Sequence, residues 1–146
     1  MVEEVRANLR RIIDEVFNKG NLDVMDEAYA TNFVRHNLPP FPDIEGLQAF
    51  KQTVADFRSA FPDFQVTIDE MVVEGDTVAL RFTFRGTHTG ESPVMPVPPT
   101  GKRVTMVGCL VGHRVGGKTV EEWEYPDSLD FLQQLGVVPP LEQGGG

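Results

Sequence analysis

The stretch His113–Gly136, HRVGGKTVEEWEYPDSLDFLQQLG, decides how the chain is read. Gly116-Gly117 supplies the positive φ that a tight hairpin needs, so one strand ends here and another begins. Val120, Trp123 and Tyr125 suit the second strand, and Pro126 stops it because proline has no N–H to give a ladder. Asp127 then stands where an N-cap belongs, ahead of the apolar spacing Leu129, Leu132, Leu135 and the closing Gly136. A carboxylate in line with an aromatic strand is either a helix cap or an acid/base group in a pocket.

Working outward, Arg103–Val115 before this hairpin is apolar on both faces, as a central strand should be. Val78, Leu80, Phe82 and Phe84 alternate with Ala79, Arg81, Thr83 and Arg85, which is strand periodicity. Val66, Ile68 and Met71-Val72-Val73 form another strand, closed by the turn Glu74-Gly75-Asp76. The N-terminal half has helical spacing instead. Val2, Val5, Leu9, Ile12, Ile13, Val16 and Phe17 fall on one stripe ending at Gly20, and Leu47, Phe50, Val54, Phe57 and Phe61 mark a helix from about Ile44 to Ala60. Between them, a short helix is predicted over 22–30 and a short strand over Phe33–His36. Two proline-rich connections stand out: Asn37–Pro42, and Glu91–Gly101 with four prolines, a stiff segment suited to be a lid. The order predicts an α+β domain over residues 1–140, with N-terminal helices on one face of a curved, mainly antiparallel sheet, and a tail over 141–146.

At 146 residues, with 40% hydrophobic and 24% charged residues, the chain has the composition of one globular domain. A formal charge of −9 argues against nucleic acid and anionic membranes as partners, since both need clustered Lys and Arg. No apolar run is long enough to span a bilayer, and the charged start MVEEVRANLRR is no signal peptide. The single cysteine, Cys109, leaves no internal disulfide, and the cytoplasm is the default location. No Cys/His set has zinc spacing, and no phosphate-binding glycine loop or GxSxG elbow occurs, so neither metal nor cofactor is expected.

Six groups of residues, in this order, resemble the SnoaL-like polyketide cyclases: Arg35-His36-Asn37, Phe61-Pro62-Asp63, Glu74-Gly75-Asp76, Gly86-Thr87-His88-Thr89-Gly90, Pro99-Thr100-Gly101-Lys102 and Gly117-Lys118…Trp123…Asp127. That family lies in the cone-shaped α+β superfamily of nuclear transport factor 2, ketosteroid isomerase and scytalone dehydratase. The resemblance implies a deep apolar cone, no cofactor and acid/base catalysis by an aspartate at the start of the last helix. Asp127 matches that aspartate, and His113 matches a histidine earlier in the preceding strand. The implied reaction is an aldol-type ring closure on a hydrophobic carbonyl compound. An isomerase or hydrolase using the same pocket, or a non-catalytic binding domain, is the alternative, because fold does not fix function.

The residues themselves leave Asp127 open between cap and base; the resemblance favours the base. If Asp127 shares a face with Trp123 and Tyr125, an apolar aromatic pocket would raise its pKa toward the operating range. His113 depends on register. A plain two-residue loop puts it opposite Val120, whereas a three-residue loop with Gly117 in the bulge puts it opposite Thr119, on the face of Trp123 and Asp127. The second register also places Val107, Cys109 and Val111 on that face, and makes the pocket wall from them. Trp123, Tyr125 and Cys109 are thus expected to line the pocket, with His36 and His88 at its mouth. Glu121 shares the same parity, and the run Glu121, Glu122, Glu124 otherwise reads as a solvated charge face. A homodimer is expected through the opposite face, by Met106, Leu110 and Val120.

Overall fold

The computed structural model describes residues 2–141 and places six strands in one twisted sheet, with helices laid across one face. The elements are α1 (Val2–Ile13), α2 (Met25–Ala28), β1 (Tyr29–His36), β2 (Ile44–Glu45), α3 (Leu47–Ala60), β3 (Gln65–Glu74), β4 (Thr77–Thr87), β5 (Arg103–Val115), β6 (Lys118–Pro126) and α4 (Ser128–Leu135). Strand order is β2-β1-β6-β5-β4-β3. Every neighbouring pair is antiparallel except β1 and β6, which run parallel. The expected α+β architecture is present. Apart from Leu141, the expected tail lies outside the described residues.

Element boundaries follow local chemistry. The stripe of α1 runs into one π-helical turn, Asp14–Asn18, before Gly20 takes a positive φ of 75°. That extra turn carries Asn18 to the free edge of β3, where its amide accepts from the N–H of Val66 (2.7 Å) and donates to its C=O (3.1 Å). The second helix is shorter than 22–30, because Tyr29 and Ala30 already belong to β1. The third begins at Leu47, three residues after the expected start, because Ile44 and Glu45 pair with β1 instead. α4 starts at Asp127, whose side chain accepts from the N–H of Asp130 (3.1 Å), and ends at Gly136 in the left-handed region. Gln134 of α4 reaches β5, accepting from the N–H of Thr105 and donating to its C=O.

One irregularity fixes which side chains of β6 face inward. Gly116 and Gly117, with φ of 58° and 83°, make a two-residue turn that sets Val115 opposite Lys118 and Arg114 opposite Thr119. Val120 is then an extra residue, so His113 pairs with Glu121 and Val111 with Trp123. His113 and Trp123 do share a face, as the alternative register required. The loop assumed for it is wrong, because the bulge falls at Val120 and not at Gly117. The face is also the wrong one. Helices α1 and α3 cover the side carrying Val104, Met106 and Leu110, whereas Val107, Cys109, His113 and Tyr125 lie exposed on the other side. Met106 and Leu110 therefore cannot form the dimer surface assigned to them.

The core forms three clusters. Ile12, Val16, Met25, Phe33, Phe50 and Val54 join the helices to β1, and Met71, Val78, Leu80 and Phe82 fill the β3–β4 side. Phe61, Phe84, Val104, Phe131 and Leu135 seat α4. The clusters do not meet completely, and the space between them is the cavity.

Candidate active site

The cavity has a volume of about 490 Å³ and lies between the helices and the concave face of the sheet. Ile12 and Ile13 of α1, Phe50 and Phe57 of α3, and Leu80 and Leu110 of the sheet supply part of its apolar wall. The two proline loops contribute its solvent-exposed lining, Leu38, Pro40 and Pro42 from one and Pro93 and Pro96 from the other. The second loop is held at its root. His88 N–H donates to the C=O of Lys102, Gly101 N–H donates to the C=O of His88, and Gly90 N–H donates to the C=O of Ala60. A Cβ on Gly90 would stand 1.7 Å from the carbonyl oxygen of Ser59, so only glycine allows this approach.

Against that apolar wall stands one charged group, Arg35, Glu122 and Glu124, with Tyr29 beside them; Asn37, Thr53 and Thr119 are further polar lining. Strand pairing builds it, since Arg35 of β1 lies directly opposite Glu122 of β6. Arg35 Nε donates to Glu122 Oε1 at 2.6 Å, Nη2 contacts the same oxygen, and Nη1 donates to Glu124 Oε2. Its guanidinium lies over the Phe50 ring, 4.5 Å from the centroid, and Phe50 stacks on Phe33. The Glu122 side chain is 4% exposed and that of Glu124 14%. Burial pushes the Glu122 carboxyl above the usual carboxylate range, although Arg35 pulls the other way. Burial and the Glu122 charge also raise the Tyr29 phenol, which stays a protonated donor. Burial lowers Arg35, but Glu122 and Glu124 outweigh it and hold the guanidinium charged. Both Arg35 contacts to Glu122 use Oε1; Oε2 lies toward Gly112, where an added Cβ would be 3.7 Å away.

None of the seven residues singled out from sequence lines this cavity. Asp127 is exposed and caps α4. Trp123 lies on the outer face between two imidazoles, stacked on His36 (centroids 5.2 Å apart) and edge-on to His113 (5.0 Å). His36 Nε2 bonds Glu121 at 2.6 Å, which holds the imidazole above its ordinary range. Tyr125 and Cys109 are exposed on the same face. His88 is fully buried beneath the second proline loop, where Nδ1 accepts from the N–H of Thr100 (3.2 Å), and burial lowers its pKa. Sequence reasoning missed Arg35, Glu122, Glu124 and Tyr29. A signal was available: Glu122 and Glu124 share one parity, opposite to Trp123 and Tyr125, but a charge run on an aromatic strand looks solvated. Among the described residues no three His, Cys, Asp or Glu side chains are grouped so as to hold a metal ion, and no helix is long and apolar enough to cross a membrane.

The sequence pattern of the SnoaL-like polyketide cyclases matches residues 7–135. The chain belongs to this family. Solved structures agree on the fold. IdmH from Streptomyces antibioticus is 30% identical, with 92% of this chain and 97% of that one covered and a TM-score of 0.72. AclR from Streptomyces galilaeus is 27% identical, covers 98% and 87%, and has a TM-score of 0.80. A SnoaL-like polyketide cyclase from Agrobacterium tumefaciens, 21% identical with 90% and 98% covered, has a TM-score of 0.73. No curated protein matches the chain.

Proposed function

We propose that the protein is an aldol-type cyclase, or a close enolate-forming relative, acting on a hydrophobic carbonyl compound held in the cavity. The observation that carries this reading is Glu122: a carboxyl almost fully buried, raised in pKa, lining the cavity and held by Arg35 through Oε1 alone. A carboxylate with a raised pKa is a stronger base than an ordinary glutamate. In the proposed cycle Glu122 takes the proton from the carbon alpha to a carbonyl. The enolate carbon attacks a second carbonyl of the same molecule, and Glu122 returns the proton to the resulting alkoxide. Tyr29 donates a hydrogen bond to the enolate oxygen, and Arg35 positions both glutamates. The base role expected for Asp127 passes to Glu122 in this reading, because Asp127 is turned to the helix N-terminus.

The deciding experiment compares Glu122→Gln with Asp127→Asn in a turnover screen of polycyclic β-keto esters. Glu122→Gln should lower activity by roughly 10²-fold or more, the scale of a lost acid/base group. Asp127→Asn should leave it intact, since Asn caps helices about as well as Asp. The reverse result returns the base role to Asp127. We also propose a homodimer through the outer face, where Val107 and Tyr125 are half exposed beside Trp123 and Val111. A monomer mass by light scattering at micromolar concentration would refute it.

A further inference from the structure

The polar group in the cavity is unbalanced. Two carboxylates face one guanidinium, and Arg35 directs Nε, Nη1 and Nη2 at them. Each carboxylate is engaged through a single oxygen, Oε1 of Glu122 and Oε2 of Glu124. Glu122 Oε2 and Glu124 Oε1 take no hydrogen bond from Arg35, and both residues line the mainly apolar cavity. A ligand N–H or O–H aimed at these oxygens would make a charge-assisted hydrogen bond. A ligand carboxylate would do the opposite, adding a third negative group beside two carboxylates that share one guanidinium.

We propose that the cavity takes ligands whose polar end is a hydrogen-bond donor, a protonated amine or a hydroxyl, and rejects ligands ending in a carboxylate, with Glu124 as the selecting residue. Glu124 suits this role because it is the more accessible of the two carboxylates and is held by Nη1 alone, whereas Nε and Nη2 both engage Glu122. The inference rests on the cavity being the ligand site and not on the reaction that follows. Phe50 beneath Arg35 and the aromatic wall accept a flat body, while the two glutamates set its orientation.

Three unreactive probes of one shape test this by titration calorimetry on the intact protein: naphthylmethylamine, naphthol and naphthoate. The amine and the naphthol should each bind roughly tenfold or more tightly than the carboxylate, a difference typical of complementary against like charge. Glu124→Gln, with its folding checked by circular dichroism, should narrow the gap between amine and carboxylate by about the same factor. Naphthoate binding as tightly as either donor, or no binding of either donor probe up to its solubility, overturns the proposal. A gap unchanged in folded Glu124→Gln overturns the assignment to Glu124. Should that variant not fold, the ranking in the unaltered protein decides alone. Because no turnover is read, loss of the base role by Glu122 would leave this ranking in place.

Discussion

Glu121 and Glu122 are neighbours in β6, and each is bonded at 2.6 Å to a basic neighbour in β1, His36 and Arg35 respectively. They point to opposite faces of the sheet. The Glu121 side chain is 42% exposed, Glu122 only 4%. Residue type and pairing distance match, so the contrast isolates what surrounds them. Outside, water screens the pair and the bond mainly lifts the basicity of His36. Inside, desolvation outweighs the attraction of Arg35 and lifts the acid itself. A cation beside a carboxylate is therefore poor evidence of a reactive site; the dielectric around the pair decides.

Shifting the register of β6 should have the largest effect. Deleting Val120 alone removes the extra residue and keeps Thr119 opposite Arg114 and Glu121 opposite His113, so every face is retained. Deleting Val120 and Glu121 together moves the strand by one residue, turning Glu122 and Glu124 outward and Trp123 and Tyr125 inward. The single deletion should stay folded and the double deletion should lose soluble folded protein, read by circular dichroism; a cooperatively folded double-deletion variant would mean the register does not set the faces. Next, Arg35→Met leaves two buried carboxylates uncompensated and should cost about 3–5 kcal/mol in chemical denaturation. His36→Gln should cost far less.

Charge-neutral substitutions sharpen the comparison further. Glu122→Gln should lower activity by roughly 10²-fold, whereas Glu121→Gln should leave it nearly unchanged. In the unaltered protein the rising limb of kcat/KM against pH should lie above the ordinary glutamate range, because Glu122 must be ionised to act as a base and its pKa is raised. A limb within the ordinary range would assign the proton transfer elsewhere. The smallest effect concerns His36. Its folded-state pKa is raised, so its bond to Glu121 stabilises the fold below the ordinary histidine pKa, and this contribution disappears as pH rises through the raised value. A slight fall in Tm between about pH 6 and 8, absent in His36→Gln, is expected. An identical fall in the variant would assign the titration to another group.

The order of elements and the family were legible because each rests on a local pattern: the stripe of α1, the alternation of β4, the cap and glycine that bound α4. The choice of face was not legible from β5 by itself. Met106 and Leu110 on one side look no more apolar than Val107 and Val111 on the other. β4 could have resolved it, since Leu80 pairs with Leu110 and Phe84 with Met106, and paired residues share a face. The apolar alternates of β4 thus carry the inward direction to β5. The bulge is a different matter. Nothing distinguishes Val120 as a residue, and its position depends on how β6 meets both β5 and β1 at once. Glu122 was hidden for the same reason, because its burial follows from the bulge and its partner lies 87 positions away.

Asn18 on Val66 and Gln134 on Thr105 do the same job at opposite borders of the sheet. In each case a side-chain amide presents one acceptor and one donor to a single residue, as a neighbouring peptide group would. One lies where β3 has no further strand, the other where β5 continues past the end of β6. An arriving segment of another chain would have to displace these amides before it could dock by main-chain pairing. The protein thus guards itself against unwanted polymerisation with two residues whose own chemistry counterfeits a strand.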